Sequence, residues 1–240
     1  MQPSRTTETQ GNHDLFDAFG QPGCPVCRLS LGAVSHYMNS TNYDALGDPA
    51  IREQFEASLG FCNLHAHQWL DEAFVLGTAQ MYRDVIRSVD RELRGQSFQG
   101  RGMGGRMASL LGGNAAASPV RQPTLPCPAC AVLEETETRL IRMLVKGLAD
   151  EPFRNAYAES DGLCLPHVRN ALAMASSREA FDSLKERALA TQATLLAHLD
   201  ETIRKHDYRF RHEPAADEVG SPARAVAHIA GSKGAMPPRS

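Results

Sequence analysis

The sequence predicts an all-α fold, a pseudo-twofold helical bundle built from two copies of a three-helix unit. A motif of cysteine and histidine residues occurs twice, and its second copy begins 103 positions after the first. Between the motifs, apolar residues recur at the three- and four-residue spacing of amphipathic helices, and no stretch alternates as a strand does. With 240 residues and 42% hydrophobic composition, the chain can form one or two domains with a buried core.

The repeated motif has two halves, C-P-x-C and G-x-C-x2-H. Between the second cysteine of C-P-x-C and the cysteine of C-x2-H lie 34 residues in the first copy and 33 in the second, and the two copies use all six cysteines. Because all the cysteines of the chain lie in this repeated pattern, the sequence predicts two metal sites. The candidate metal ligands are Cys24, Cys27, Cys62 and His65 in the first copy, and Cys127, Cys130, Cys164 and His167 in the second.

The spacing within each half suits helix starts. Proline favours the first helical position, which places Cys24 just before a helix and Cys27 in its first turn. Cys62 and His65 are also three apart where a further helix begins. Because residues three apart share a helical face, each pair can contact one ion, and helix N-termini favour thiolates. We therefore expect each repeat to form its own Cys3His site, which staples two of its helices together.

Three kinds of chemistry can be considered for such a motif, and the first two fit it better than the third. Cys3His is a closed tetrahedral zinc set, so two structural Zn²⁺ sites are the leading prediction. Iron–sulfur clusters are the alternative, because three cysteines and one histidine can also hold a cluster. A thiol redox motif of the glutaredoxin kind would need a βαβ context, which is missing, and would leave the C-x2-H halves unexplained.

Hydrophobic periodicity predicts the same helices in each repeat. In the first repeat they cover about residues 25–38, 50–59 and 62–94, with Asp48-Pro49 capping the short helix. The long helix carries an apolar stripe made of Leu70, Phe74, Met81, Val85, Ile86, Val89 and Leu93. In the second repeat the predicted helices cover 128–148, about 150–159, and a stretch from Cys164 that breaks near Ser176-Ser177.

Composition divides the chain into five segments. The polar start and the Pro/Ala/Gly-rich end are predicted to be disordered, and a stretch with seven glycines and three prolines is predicted to be a flexible linker. The segments are 1–20 (mostly disordered N-terminus), 21–94 (first repeat), 95–126 (linker), 127–211 (second repeat) and 212–240 (disordered tail).

Charge and motif content exclude several functions. A net charge of −3 gives no basic surface for nucleic acid. No signal segment or apolar stretch of membrane-spanning length occurs, so we expect a cytoplasmic protein whose thiols stay reduced. The sequence has no recognisable nucleophile, phosphate loop or catalytic carboxylate pair, which argues against an enzyme.

The leading hypothesis is therefore a non-enzymatic interaction or scaffold protein with structural zinc and a protein partner. The alternative is an iron–sulfur protein that transfers electrons or senses redox state as a subunit of a larger complex.

Other polar residues near the motifs have possible supporting roles. Arg52 and Arg154 hold equivalent places in the two short helices, where each could pair with a thiolate or a carboxylate. Carboxylates close to the motifs could orient a histidine N–H. These are Asp71, Glu72, Glu159 and Asp161.

The sequence resembles an uncharacterised prokaryotic family of helical proteins that carry this paired signature. The resemblance rests on the order C-P-x-C, short helix, G-[FL]-C-x2-H and long helix, followed by the segment His206-Asp207-Tyr208-Arg209-Phe210. The resemblance covers residues 24–211. It implies the same eight metal ligands and a defined packing place for Asp207-Tyr208-Arg209. It implies no reaction.

Overall fold

A computed structural model describes residues 13–42, 47–72, 74–96, 122–210 and 212–235. In these residues the regular structure is helical, with a 3₁₀ turn at Tyr208–Phe210, so the all-α prediction is confirmed. The helices are α1 (13–19), α2 (Pro25–Ser40), α3 (Pro49–Ala57), α4 (Asn63–Glu72), α5 (Val75–Arg94), α6 (Pro128–Gly147), α7 (Glu151–Glu159), α8 (Leu165–Met174), α9 (Arg178–His206) and α10 (Ser221–Ala230).

The chain forms two compact units that do not coincide with the two sequence repeats. The larger unit contains the described residues up to Ser35 and from Val132 onward, and the smaller unit contains those from His36 to Ala131. The division falls within α2 and within α6. The expected boundaries at 21–94 and 127–211 therefore differ from the structural ones, because each C-P-x-C helix starts in one unit and ends in the other. The pseudo-twofold relation between the repeats stays a prediction.

In the larger unit, α9 packs against α7, α8 and α10. Its core brings α1 together with the helices of the second half, and Phe19 makes edge contacts with Phe153 and Tyr157 at centroid distances of 5.0 and 5.7 Å. Fully buried aliphatic side chains fill the rest. They are Leu15, Val26, Leu144, Leu148 and Leu184. The sequence predicts a mostly loose start of the chain with a Leu15-Phe16-Phe19 cluster that could dock on the core. Residues 13–19 do contribute to this core through Leu15 and Phe19, and residues 1–12 lie outside the described part.

In the smaller unit, α3 packs against α5. A row of aromatic rings forms its centre. Phe55 contacts Phe61 and Tyr82 at ring-centroid distances of 5.0 and 5.2 Å, and Phe61 contacts Trp69 at 5.3 Å. Trp69 is fully buried, and its Nε1 donates to Thr78 Oγ1 at 2.9 Å.

The predicted continuous helix from Cys62 to Arg94 is wrong. α4 ends at Glu72 and α5 begins at Val75, because Phe74 adopts extended backbone angles (φ −72°, ψ 140°) and donates its N–H to Asn42 Oδ1. The apolar stripe is also narrower than expected: Met81 and Val85 are buried. Four members of the stripe are exposed instead, namely Leu70, Phe74, Ile86 and Leu93.

The expected disorder of the tail is wrong for the residues that the structure describes there. α10 packs on α8 and α9, with Ser221 and His228 buried. Lys205 Nζ lies 2.7 Å from Glu218 Oε1, which joins the tail to α9. Composition alone was misleading here because alanine is a good helix former and Gly220, at φ 75°, provides the turn that starts α10.

Two further predictions concern the flexible linker and the absence of a membrane-spanning segment. Most of the expected linker, residues 97–121, lies outside the described part of the chain. Across the part that is described, every helix is too short or too polar to serve as a membrane span.

Candidate metal centre

The eight predicted ligands gather into two Cys3His sets, one in each unit. In each set the four donor atoms lie within 4.8 Å of one another. The larger-unit set consists of Cys24, Cys27, Cys164 and His167, and the smaller-unit set consists of Cys62, His65, Cys127 and Cys130.

This grouping corrects the expected pairing. Each set combines the C-P-x-C half of one repeat with the C-x2-H half of the other, so neither repeat forms a site by itself. The sequence favoured pairing within a repeat because those halves are only 33 or 34 residues apart. In the structure, Cys27 meets Cys164 across 137 residues and Cys62 meets Cys130 across 68.

In the larger-unit set the imidazole faces the three sulfurs through one nitrogen. His167 Nδ1 lies 3.4 Å from Cys24 Sγ, 3.5 Å from Cys27 Sγ and 3.1 Å from Cys164 Sγ. The Cys27 and Cys164 sulfurs are 3.6 Å apart. Apart from Cys24, which is half-buried, the set is buried. The geometry makes Nδ1 the donor atom for an ion and leaves Nε2 to face away.

The smaller-unit set has the same geometry and greater exposure. His65 Nδ1 lies 3.3 Å from Cys62 Sγ and Cys130 Sγ and 3.6 Å from Cys127 Sγ. The Cys62 and Cys130 sulfurs are 3.6 Å apart. All three cysteines are half-buried, and only His65 is fully buried.

Each set collects two helix starts, as the proline positions of the C-P-x-C halves and the three-residue spacing of the C-x2-H halves predict. The carbonyl of each leading cysteine accepts the first intrahelical hydrogen bond, from the N–H four residues later. These four cysteines are Cys24, Cys62, Cys127 and Cys164. Both members of every pair therefore lie in or beside a first turn, where the positive end of the helix dipole stabilises thiolate charge.

A glycine turn aims each C-x2-H pair. Gly60 and Gly162 have positive φ angles of 86° and 73°, two residues before Cys62 and Cys164. The turns share one more interaction, in which the serine two residues before each glycine donates to a helix-end carbonyl, Ser58 to Phe55 and Ser160 to Tyr157. Glycine is needed here because other residues are strained at these angles.

The histidines differ in what supports their second nitrogen. His167 Nε2 lies 3.3 Å from Glu137 Oε1, an ion-pair distance, and Glu137 is only 13% exposed. Such a carboxylate fixes the tautomer and strengthens a histidine ligand. Neither His167 Nε2 nor His65 Nε2 makes a hydrogen bond of ordinary geometry among the described residues, so the two differ in the carboxylate that lies beside His167. Sequence reasoning missed Glu137, although it lies seven residues after Cys130 and thus two helical turns along α6.

The pKa values reflect these surroundings. Burial opposes protonation of His167, but the hydrogen bonds with Cys24 and Cys27 and the nearby Glu137 carboxylate raise its pKa to about 11. Hydrogen bonds from Cys164 and Cys24 hold the pKa of Cys27 far below its usual range. In the smaller-unit set, burial lowers the pKa of His65 and raises those of both cysteines of its C-P-x-C half.

The C-terminal tail covers part of the larger-unit set. Ala235 is fully buried in one cluster with Cys27 and Cys164. Leu31 packs against the same cluster. The segment expected to be disordered thus shields two of the sulfurs from solvent.

The other predicted residues take supporting roles. Arg52 pairs with Asp84, and Arg154 pairs with Glu179 at 2.7 Å, so both equivalent arginines bind carboxylates. Asp161 Oδ2 accepts the N–H of Gly23 at 2.7 Å. Asp71 and Glu159 are exposed, whereas the Glu72 side chain lies outside the described part. In the 3₁₀ turn, Asp207 and Arg209 pair at 2.6 Å, but Tyr208 is 79% exposed.

A family model described as a family of unknown function (DUF6062) matches residues 13–236. The chain belongs to this family. The DUF6062 match begins before the first cysteine and extends past α10, so both ligand sets and the tail helix lie within it. It therefore covers more of the chain than the 24–211 expected from the paired signature.

One relative of this DUF6062 protein is described as an uncharacterized 23.9 kDa protein in the xynA 3' region of Caldicellulosiruptor sp. (strain Rt8B.4). It is 24% identical over 221 residues, which cover 91% of this chain and 100% of the relative. No solved structure matches the chain.

Proposed function

We propose that this DUF6062 protein binds one Zn²⁺ in each unit and that both ions are structural. The observation that carries the proposal is the convergence of three sulfurs and one imidazole nitrogen within 4.8 Å in each set. Thiolate and imidazole are the ligands that zinc prefers in closed tetrahedral sites.

The spacing of the donor atoms suits a single ion. Zn–S bonds of about 2.3 Å and Zn–N bonds of about 2.0 Å at tetrahedral angles place sulfurs about 3.8 Å apart and sulfur and nitrogen about 3.5 Å apart. The Sγ–Sγ distances of 3.6 Å and the Sγ–Nδ1 distances of 3.1–3.6 Å are close to these values. An iron–sulfur cluster spreads its thiolates over different irons and needs wider spacing, so these distances favour zinc over the alternative.

The connectivity supports a structural role. Each ion would join two helix starts that are far apart in sequence, Cys27 to Cys164 in the larger unit and Cys62 to Cys130 in the smaller. The free energy of metal binding then stabilises the folded unit. Four protein ligands fill the tetrahedral shell and leave no position for a substrate, which supports the non-enzymatic scaffold or interaction role and a protein partner as parts of this proposal.

Elemental analysis and a visible spectrum test the proposal, on protein purified without oxygen and without chelators. We expect colourless protein with about two zinc ions per chain. The Cys130→Ser variant should retain about one ion. Iron and sulfide together with absorbance near about 400 nm would overturn the zinc assignment and favour the iron–sulfur alternative.

A further inference from the structure

A cavity of about 380 Å³ lies in the larger unit, beside the metal set. Its walls come from α9, α10 and the loops that precede α2 and α8. Cys24 contributes to one wall and Gly162 to another. The volume falls within the range of small-molecule sites, and neither ligand set nor the proposed structural role makes use of it.

A buried histidine in the cavity wall has an unpartnered nitrogen. His228 is 8% exposed, and its Nε2 has no hydrogen-bond partner within the described part of the chain. Burial lowers the pKa of His228 and so favours the neutral imidazole. A buried polar atom without a hydrogen bond is unfavourable, and a ligand atom that reached Nε2 would offset this cost.

Two guanidinium groups line the same cavity, and the hydrogen bonds that hold them end on uncharged groups. Arg224 donates to the carbonyls of Asp217 and Val219 at 2.6 Å. Arg187 donates to the carbonyl of Ala158 at 2.7 Å. These bonds fix the positions of both groups, and no carboxylate in the described part of the chain forms an ion pair with either guanidinium.

The cavity wall also includes one carboxylate and several apolar groups. Asp161, the acidic residue among the lining residues, is exposed and already accepts the Gly23 N–H. Two guanidinium groups thus face the Asp161 carboxylate, and Cys24 of the metal set lies in the same cavity wall. Apolar surface comes from Leu163, Leu195 and Ala227. A site with an apolar wall and a few fixed polar groups selects a ligand that has both characters.

We propose that this cavity binds a small organic anion with an apolar body. The anionic group contacts Arg224 and His228, and the apolar body packs against Leu195 and Ala227 beside the larger-unit metal set. The positively charged donors select an anion, and the apolar wall selects an apolar body. Because the hydrogen bonds already hold the donors in position, the entropic cost of binding is lower.

Two fluorescent probes that differ by one charged group test the ligand class. 8-Anilinonaphthalene-1-sulfonate carries a sulfonate on an aromatic body, and N-phenyl-1-naphthylamine is the same body without it. On the full-length, metal-loaded chain we expect saturable one-to-one binding of the sulfonate and about tenfold weaker binding of the neutral probe. Equal affinity for the two probes, or no saturable binding of the sulfonate, would overturn the proposal.

Three variants locate the site. Arg224→Met should weaken sulfonate binding about tenfold and leave the neutral probe unchanged. Arg178→Met removes a highly exposed arginine of α9 that does not line the cavity, and it should change neither affinity. Ala227→Phe fills the cavity without altering a charge and should weaken both probes. Sulfonate binding that survives Ala227→Phe unchanged would show that the cavity is not the site.

Discussion

Cys27 Sγ lies 3.6 Å from Cys164 Sγ, although 137 residues separate the two cysteines and they belong to different copies of the motif. Both side chains are buried. The contact closes the larger unit, because it joins the start of α2 to the start of α8. The Cys62–Cys130 contact does the same for the smaller unit, so each unit depends on both repeats.

Double variants test this crossed pairing. Cys27→Ser with Cys164→Ser removes two ligands from one set, and the protein should lose about one of its two zinc ions. Cys27→Ser with Cys62→Ser damages both sets and should lose about two. Zinc content measured by elemental analysis distinguishes the arrangements, since pairing within a repeat would give the opposite result for the two double variants.

Glu137 should control how firmly the larger unit holds its ion. The Glu137→Gln variant weakens the support of His167 Nε2, and comparable changes lower metal affinity about 10- to 100-fold. Glu134→Gln changes an exposed residue of the same helix and serves as the control. The rate at which each variant transfers zinc to a coloured chelator reports how firmly the ion is held. Equal transfer rates in the two variants would show that Glu137 does not support His167.

The smaller-unit ion should leave first in the unmodified protein. Its cysteines are more exposed, and His65 Nε2 has no described partner. We expect two phases of zinc release to a chelator, with Cys130→Ser removing the faster phase. If Cys130→Ser removed the slower phase instead, the link between exposure and release would be refuted.

The glycine turns before Cys62 and Cys164 should be sensitive to a single methyl group. A Cβ at Gly60 would lie 3.2 Å from Tyr82 Cε1, and one at Gly162 would lie 3.1 Å from Arg187 Cγ, both at positive φ. Alanine at either position should lower the free energy of unfolding by about 1–3 kcal/mol. Gly32→Ala, in α2 with open space around it, should raise it by about 0.5–1 kcal/mol. Denaturant unfolding measures all three, and a neutral Gly60→Ala would contradict the strain argument.

The tail should protect the larger-unit set. Ala235→Asp introduces a carboxylate into a fully buried position beside Cys27 and Cys164, so desolvation and repulsion from thiolate charge should speed zinc loss from this unit. Ala230→Asp places the same charge on an exposed residue of α10 and should have little effect. Zinc release that is the same in both variants would mean that the tail does not cover the set in solution.

Helix ends that depend on capping residues in the adjoining chain were predicted well from the sequence. Asp48 caps its short helix as expected by accepting from Ala50 N at 2.9 Å, and Asp150, where the second short helix was expected to begin, accepts from Phe153 N at 3.3 Å. The break before α9 also occurs where Ser176-Ser177 indicated it. The break at Phe74 was missed because good helix formers flank it, and it depends on a hydrogen bond that the Phe74 N–H donates to a distant residue, Asn42.

By itself, the sequence identified the eight candidate ligand residues, their positions at helix starts and the all-α class, because proline, glycine and the three-residue spacing act over a single turn of chain. Only the tertiary structure decided which halves come together in one Cys3His set, since C-P-x-C carries no record of its distant partner. It also decided that Glu137 supports one histidine and that Ala235 covers one pair of sulfurs. These relationships join residues that meet only after the helices have packed, and no local pattern encodes them.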